Sequence, residues 1–271
     1  IETSTSPAGR TNQQQFDALG RLTQVTLPST LPIQYSYDGN GRLAVITQGT
    51  RVTTRTYGAD GMLATITDPM AQVTQLDRNA RGDVTTETRH DGASTSFDYD
   101  GNGNTTAVTP PGRPTHSLDF NSINLLGNYE PPELPPLETN TQYFYDLDKK
   151  LESVLQPGPR EIEYSYDAAG RLSEVSFPEG DITRTYSATT GHLVSISGPT
   201  GVATAYTRDG SLLKSVAQTG AATGTVAWTH DNDFRITAET VNGSWSAAFG
   251  YDADSLLTSA GPVAVRQAQL Q

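Results

Sequence analysis

Tyr166-Asp167-Ala168-Ala169-Gly170-Arg171-Leu172, followed by Val175, is the stretch on which the reading of this 271-residue chain turns. Upstream of it, Ile162, Tyr164 and Tyr166 alternate with Glu161, Glu163 and Ser165. That strict alternation marks a strand with one buried face. Asp167-Ala168-Ala169-Gly170 supplies a turn, because Asp bonds backbone amides ahead of it and Gly accepts positive φ. A second strand follows, with Val175 and Phe177 on one face. Leu172 is out of phase with them, which predicts a β-bulge or strong local twist just after the turn. The unit is a β-hairpin.

The same frame recurs along the chain. It stands at Tyr37-Asp38-Gly39-Asn40-Gly41-Arg42-Leu43 with Ile46, and at Phe16-Asp17-Ala18-Leu19-Gly20-Arg21-Leu22 with Val25. Looser copies start at Tyr57, Leu76, Tyr99, Tyr145, Tyr186, Tyr206, Thr229 and Tyr251. Between clear neighbours the step is 21 residues (16 to 37, 145 to 166) or 20 (37 to 57, 166 to 186, 186 to 206). A fixed period of this size means one supersecondary unit stacked many times. Turn signals also fall midway between copies, at Pro28-Ser29, Gly49-Thr50, Pro69-Met70, Pro157-Gly158 and Asn242-Gly243 among others. The expected fold is all-β: antiparallel hairpin repeats in a long ribbon, coiled because strands twist and wide sheets curl.

Composition narrows the function classes. Net charge is −12, which argues against nucleic acid and against anionic membrane surfaces as partners. There is no cysteine, so disulfides are excluded. No apolar run reaches the ~18 residues of a membrane span. Hydrophobic residues are 35%, lean for a close-packed globule, yet Tyr, Thr and Val favour strands over disorder. Residues 1–271 read as one array. Within it the frame lapses over 104–141, a degenerate, proline-rich interruption holding Tyr129-Glu130-Pro131-Pro132-Glu133-Leu134-Pro135-Pro136-Leu137-Glu138. Prolines cannot donate ladder bonds, so that run is expected to be extended backbone on a sheet surface or edge. Ile1 is preceded by no methionine or signal peptide, and Val263-Ala264-Val265 opens a strand near the end. The chain is therefore expected to be a fragment of a longer polypeptide.

Catalytic signatures are not found: there is no Gly-x-Ser-x-Gly elbow, no His-Glu-x-x-His and no phosphate loop. His90, His116, His192 and His230 share no metal-like spacing and are expected on the surface or in turns. Asp98-Tyr99-Asp100-Gly101-Asn102-Gly103 fits half of a calcium loop, but Thr109 stands where the bidentate Glu belongs, and a hairpin turn explains the same residues. The reading is of no enzyme, no cofactor and no metal. Asp17/Arg21, Asp38/Arg42 and Asp167/Arg171 could form a ladder of ion pairs, or bind sugars together with the tyrosines. Recurrence favours the structural role, since a repeated position usually serves the repeat.

Tyr166-Asp167-Ala168-Ala169-Gly170-Arg171-Leu172-Ser173-Glu174-Val175 closely resembles the YD-repeat, or RHS-repeat, consensus, and about eleven copies stand in register. That family takes in bacterial Rhs polymorphic toxins, insecticidal toxin-complex subunits, wall-associated proteins and teneurins. The resemblance implies a ribbon spiralling into a hollow shell. In bacterial members the shell encloses a C-terminal toxin before delivery, and in teneurins it supports cell adhesion. It also implies an exported protein, secreted or at the cell surface. Complete bacterial members close with an Asp-Pro-x-Gly-Leu motif, whereas the one Asp-Pro here, Asp68-Pro69, sits in a repeat turn. The expected function is thus that of a wall segment partnering the rest of its shell polypeptide and an enclosed toxin. The alternative is a surface adhesin holding glycans or cell-surface proteins.

Overall fold

The computed structural model describes residues 1–132, 140–158, 160–261 and 263–264. They fall into two compact units, divided along the chain between residues 134 and 135. The first holds strands β1 (Glu2–Thr5), β2 (Thr11–Phe16), β3 (Leu22–Thr26), β4 (Ile33–Tyr37), β5 (Leu43–Gln48), β6 (Arg51–Tyr57) and β7 (Leu63–Thr67). It continues with β8 (Val73–Arg78), β9 (Val84–Thr88), β10 (Ser94–Tyr99), β11 (Thr105–Thr109), β12 (His116–Phe120) and β13 (Leu126–Glu130). The second holds β14 (Thr141–Tyr145), β15 (Leu151–Gln156), β16 (Arg160–Tyr166), β17 (Leu172–Phe177), β18 (Gly180–Tyr186), β19 (Leu193–Ser197) and β20 (Ala203–Asp209). It ends with β21 (Leu212–Thr219), β22 (Gly224–His230), β23 (Ile236–Val241), β24 (Trp245–Tyr251), β25 (Leu257–Ala260) and β26 (Val263–Ala264). Within each unit every strand pairs antiparallel with the next in sequence. Apart from a single 3-10 turn at Pro199–Gly201, the described residues contain no helix.

The bulge read from the Leu172/Val175 offset is present and systematic. Tyr166 pairs with Leu172 while Ser165 pairs with Glu174, so Ser173 is the extra residue. Twelve hairpins shift register in this way, from β2–β3 to β24–β25, always at the end of the first strand. The alternate turns carry no such shift, as at β5–β6 and β17–β18.

Register sorts the side chains by face. Tyr164 lies opposite Val175 and Val175 opposite Ile182, while Val154 faces Ile162. Val154, Ile162 and Val175 are the buried apolar side chains of this patch, yet no described side chain is fully buried. The opposite face carries Ser153, Glu163 and Ser176, or Glu174 and Thr183, in register. A core this thin leaves much of the stability to cross-strand pairs and to contacts between hairpins.

Inside the stretch where the frame lapses in sequence, β11, β12 and β13 continue the meander. The β12–β13 turn even keeps the repeat's hydrogen bonds: Asn121 Oδ1 accepts from the amides of Ile123 and Leu125 at 3.0 Å each. The proline-rich run from Glu133 to Glu138, the turn at Pro262 and the strand residue Val265 lie outside the described residues.

Candidate functional site

The repeated Asp, Gly, Arg, Leu and Tyr make one construction. In the β4–β5 turn the Asp38 amide donates to the Arg42 carbonyl at 2.8 Å, and the Gly41 amide donates back to Asp38 at 2.9 Å. Asp38 Oδ1 accepts from the amides of Asn40 and Arg42, both at 2.9 Å, and Oδ2 accepts from Arg42 Nε at 2.8 Å. Gly41 takes φ of 81°, a left-handed conformation that favours glycine. The β16–β17 turn repeats every element: Asp167 binds the amides of Ala169 and Arg171 and the Arg171 Nε, and Gly170 has φ of 76°.

The arginine then reaches forward. Arg42 lies over the ring of Tyr57 in the next repeat, 4.3 Å from its centroid, and Arg171 lies over Tyr186 at 4.4 Å. Arg21 covers Tyr37 and Arg235 covers Tyr251 in the same way, while Lys150 takes the arginine's place over Tyr166. Each tyrosine reaches back. Tyr57 donates its hydroxyl to the Leu43 carbonyl at 2.8 Å, and Tyr186 to Leu172 at 2.8 Å. Tyr37, Tyr99, Tyr166 and Tyr251 donate to Leu22, Val84, Leu151 and Ile236. The left-handed glycine sits under the preceding arginine as well: a Cβ on Gly41 would lie 3.2 Å from Arg21 Nη1, and one on Gly191 3.3 Å from Arg171 Nη1. Where the full motif stands it is therefore a ladder between hairpins, with an ion pair inside the turn, a cation–π contact forward and a hydroxyl bond backward.

Electrostatics follow from this geometry. The Arg42 amide, seconded by its guanidinium, holds the Asp38 carboxyl below its ordinary range, and Arg21 does the same for Asp17. For Asp167 and Asp231 the guanidinium of Arg171 or Arg235 is the leading cause. Both oxygens of these carboxylates accept hydrogen bonds from their own turn. Among the described residues no group of three or more His, Cys, Asp or Glu is placed to hold a metal. Asp100, in the calcium-like sequence, is spent on the turn: it binds the amides of Asn102 and Asn104 and the Asn104 side chain.

The structure corrects the frame at three copies. The residues that take the tyrosine position are Arg78, Arg208 and His230, not Leu76, Tyr206 and Thr229. Leu76 and Tyr206 share a face with the true positions two residues on, so alternation cannot separate them. At Arg78 the substitution is functional: Nε donates to the Leu63 carbonyl at 3.3 Å, replacing the tyrosine hydroxyl. His116 and His230 lie half-buried on strands, and His116 Nδ1 lies 2.7 Å from the Tyr129 hydroxyl. Asn79 and Asn121 serve as the turn's amide acceptor in place of Asp, through Oδ1. A glycine at the fifth position of Asn79-Ala80-Arg81-Gly82-Asp83's frame, counted from Arg78, was the available signal.

A family model described as Teneurin YD-shell matches residues 9–270. Among solved structures, the chain is similar to the crystal structure of TcdB2-TccC3, at 15% identity and a TM-score of 0.71, covering 98% of this chain and 18% of that one. It is similar also to TcdB2-TccC3 without its hypervariable C-terminal region, at 13% identity and a TM-score of 0.52, covering 98% and 21%. The chain thus spans about a fifth of the length of these structures. No curated protein matches it.

Proposed function

The chain belongs to the teneurin YD-shell family, and on that premise we propose that it is a stretch of wall in a larger β-shell that encloses a C-terminal toxin for delivery. Its part is structural and not enzymatic, its partners are the rest of its shell polypeptide and the enclosed cargo, and the parent is secreted or exposed at a cell surface. The shared fold with the TcdB2-TccC3 structures supports a shell role. The observation that carries the reading is the ladder itself. The side chains best suited to chemistry, Asp38, Arg42, Asp167, Arg171 and the repeat tyrosines, are used up in joining one hairpin to the next.

Electron cryomicroscopy of the parent protein tests this. A closed shell with density inside it is the expected result. An open array without a lumen would overturn the container reading and favour surface adhesion or glycan binding. No helix among the described residues is long and apolar enough to cross a membrane.

A further inference from the structure

Several bulged turns of the second unit lack the arginine, with Lys150, His192 and Leu256 at its position, and in one further step the turn itself is shortened. The β20–β21 turn is Asp209-Gly210-Ser211-Leu212, with Asp209 paired directly to Leu212 and Arg208 to Leu213. Most bulged turns place five residues between the paired tyrosine and leucine positions, as from Asp38 to Arg42, and the β18–β19 turn places six. In the β20–β21 turn one residue is missing, and Leu212 stands where the arginine would precede the leucine. In the following hairpin, His230 takes the tyrosine position and Phe234 takes the left-handed glycine position.

The consequence is a cleft of about 430 Å³, lined by Asp209, Leu212, Lys214, His230, Asn232 and Phe234 with their neighbours. Its residues correspond to those that surround the arginine elsewhere. In regular steps Arg21 lies over Tyr37 and against the Gly41 position, and Arg171 over Tyr186 and against Gly191. Here His230 and Phe234 offer the two surfaces, and Asp209 offers the carboxylate. Among the described residues, no hydrogen bond to the Asp209 carboxylate is formed. Its one ion pair, to Lys214 Nζ, is long at 3.8 Å and mostly exposed. Asp38 and Asp167, by contrast, each hold their arginine at 2.8 Å.

Phe234 is the unusual residue. It has φ of 65° at a position most turns give to glycine and three give to Asn124, Lys149 and Ser255, it is the one aromatic residue there among the described residues, and 70% of it is exposed. A bulky side chain in the left-handed region is an outlier, and such outliers cluster at functional positions.

We propose that this cleft is a berth for an arginine side chain brought by a second polypeptide segment, its guanidinium stacked against His230 and Phe234 and paired with Asp209. Arginine suits the site better than lysine, because a planar guanidinium stacks on flat rings and still presents its donors at the edge. The net charge of −12 favours the approach of a basic segment. The inference rests on the local geometry of this step and stands whether or not the parent encloses a cargo.

The test is an NMR titration of the chain near neutral pH with N-acetyl-arginine methylamide, following the Phe234 ring and His230 imidazole resonances. The neutral isostere N-acetyl-citrulline methylamide is the control. Saturable shifts confined to the cleft, with the arginine compound alone, are the expected result. Asp209→Asn should weaken binding ~5-fold, the worth of one exposed charge contact. Leu212→Arg supplies the guanidinium in cis and should abolish the response. Phe234→Gly should also abolish it while leaving the melting temperature unchanged or raised. Absence of saturable shifts, an equal response to citrulline, or undiminished binding by Leu212→Arg would each overturn the proposal.

Discussion

Removing one oxygen atom tests the ladder. Tyr186→Phe keeps the ring 4.4 Å beneath the Arg171 guanidinium carbon and deletes only the hydroxyl that donates to the Leu172 carbonyl at 2.8 Å. Tyr186 is half-buried, so ring burial stays the same and the lost interaction is a single neutral hydrogen bond. Such a bond contributes about 0.5–1.5 kcal/mol, and the expected destabilisation is about 1 kcal/mol. Arg171→Gln removes the cation from above the same ring and should cost about 0.5–1 kcal/mol through that contact at a partly exposed site. The hydroxyl and the ring face act at different places, so the double variant should show a coupling below about 0.5 kcal/mol. Repeat arrays unfold in parts, and a single midpoint can hide a local change. Native-state hydrogen exchange on the amides of β17 to β19 is therefore the assay. Tyr186→Phe should lower protection there and leave β2 to β5 untouched. Protection unchanged at β17 to β19, or lost equally everywhere, would refute the ladder as a local tie between neighbouring hairpins.

Two further outcomes follow from the same construction. Gly170→Val forces a β-branched residue into φ of 76° and should destabilise by roughly 2 kcal/mol in urea unfolding. Gly39→Val, at a turn glycine without positive φ and with open space around its missing Cβ, should cost under about 0.5 kcal/mol. Asp17, Asp38, Asp100, Asp167 and Asp231 are all held below the ordinary carboxylate value of 3.8. Below that value the unfolded chain takes up protons that the folded chain refuses, so stability is full above it and falls as pH drops through the lowered folded values. A urea midpoint that stays flat on acidification below 3.8 would contradict this.

Much of the fold could be read from residue order. The Ile162/Tyr164/Tyr166 alternation gave the strand, Asp167 to Gly170 gave the turn, and the Leu172/Val175 offset gave the bulge. What could not be read was contact between repeats. Asp167 and Arg171 look like a pair closed within their own turn, because four residues separate them. Nothing in that spacing shows that the same guanidinium lies on Tyr186, or that the Tyr186 hydroxyl returns to Leu172. Those contacts depend on how far one hairpin is displaced along the next. The frame was misplaced at Arg78, Arg208 and His230 for a related reason: the turn sets the phase, and in these copies the tyrosine that would announce it has been replaced. The cleft at Asp209 was hidden because it arises from a deletion in one turn and two substitutions in the next.

The backward reach of the tyrosine gives the array a direction in time. Tyr57 donates to Leu43 and Tyr186 to Leu172, each to a carbonyl 14 residues earlier in the chain. During synthesis the acceptor has always been made before the donor. A hairpin leaving the ribosome thus finds a finished docking face and needs no sequence still to come. Contacts of such short range close quickly and favour folding in the order of translation. The forward reach of the cation works as the matching half in the turns that carry one: Arg21, Arg42, Lys150, Arg171 and Arg235 are each in place before the ring they cover is made. A long sheet, whose exposed edge would otherwise be an aggregation hazard until its last strand arrived, can in this way be laid down one hairpin at a time.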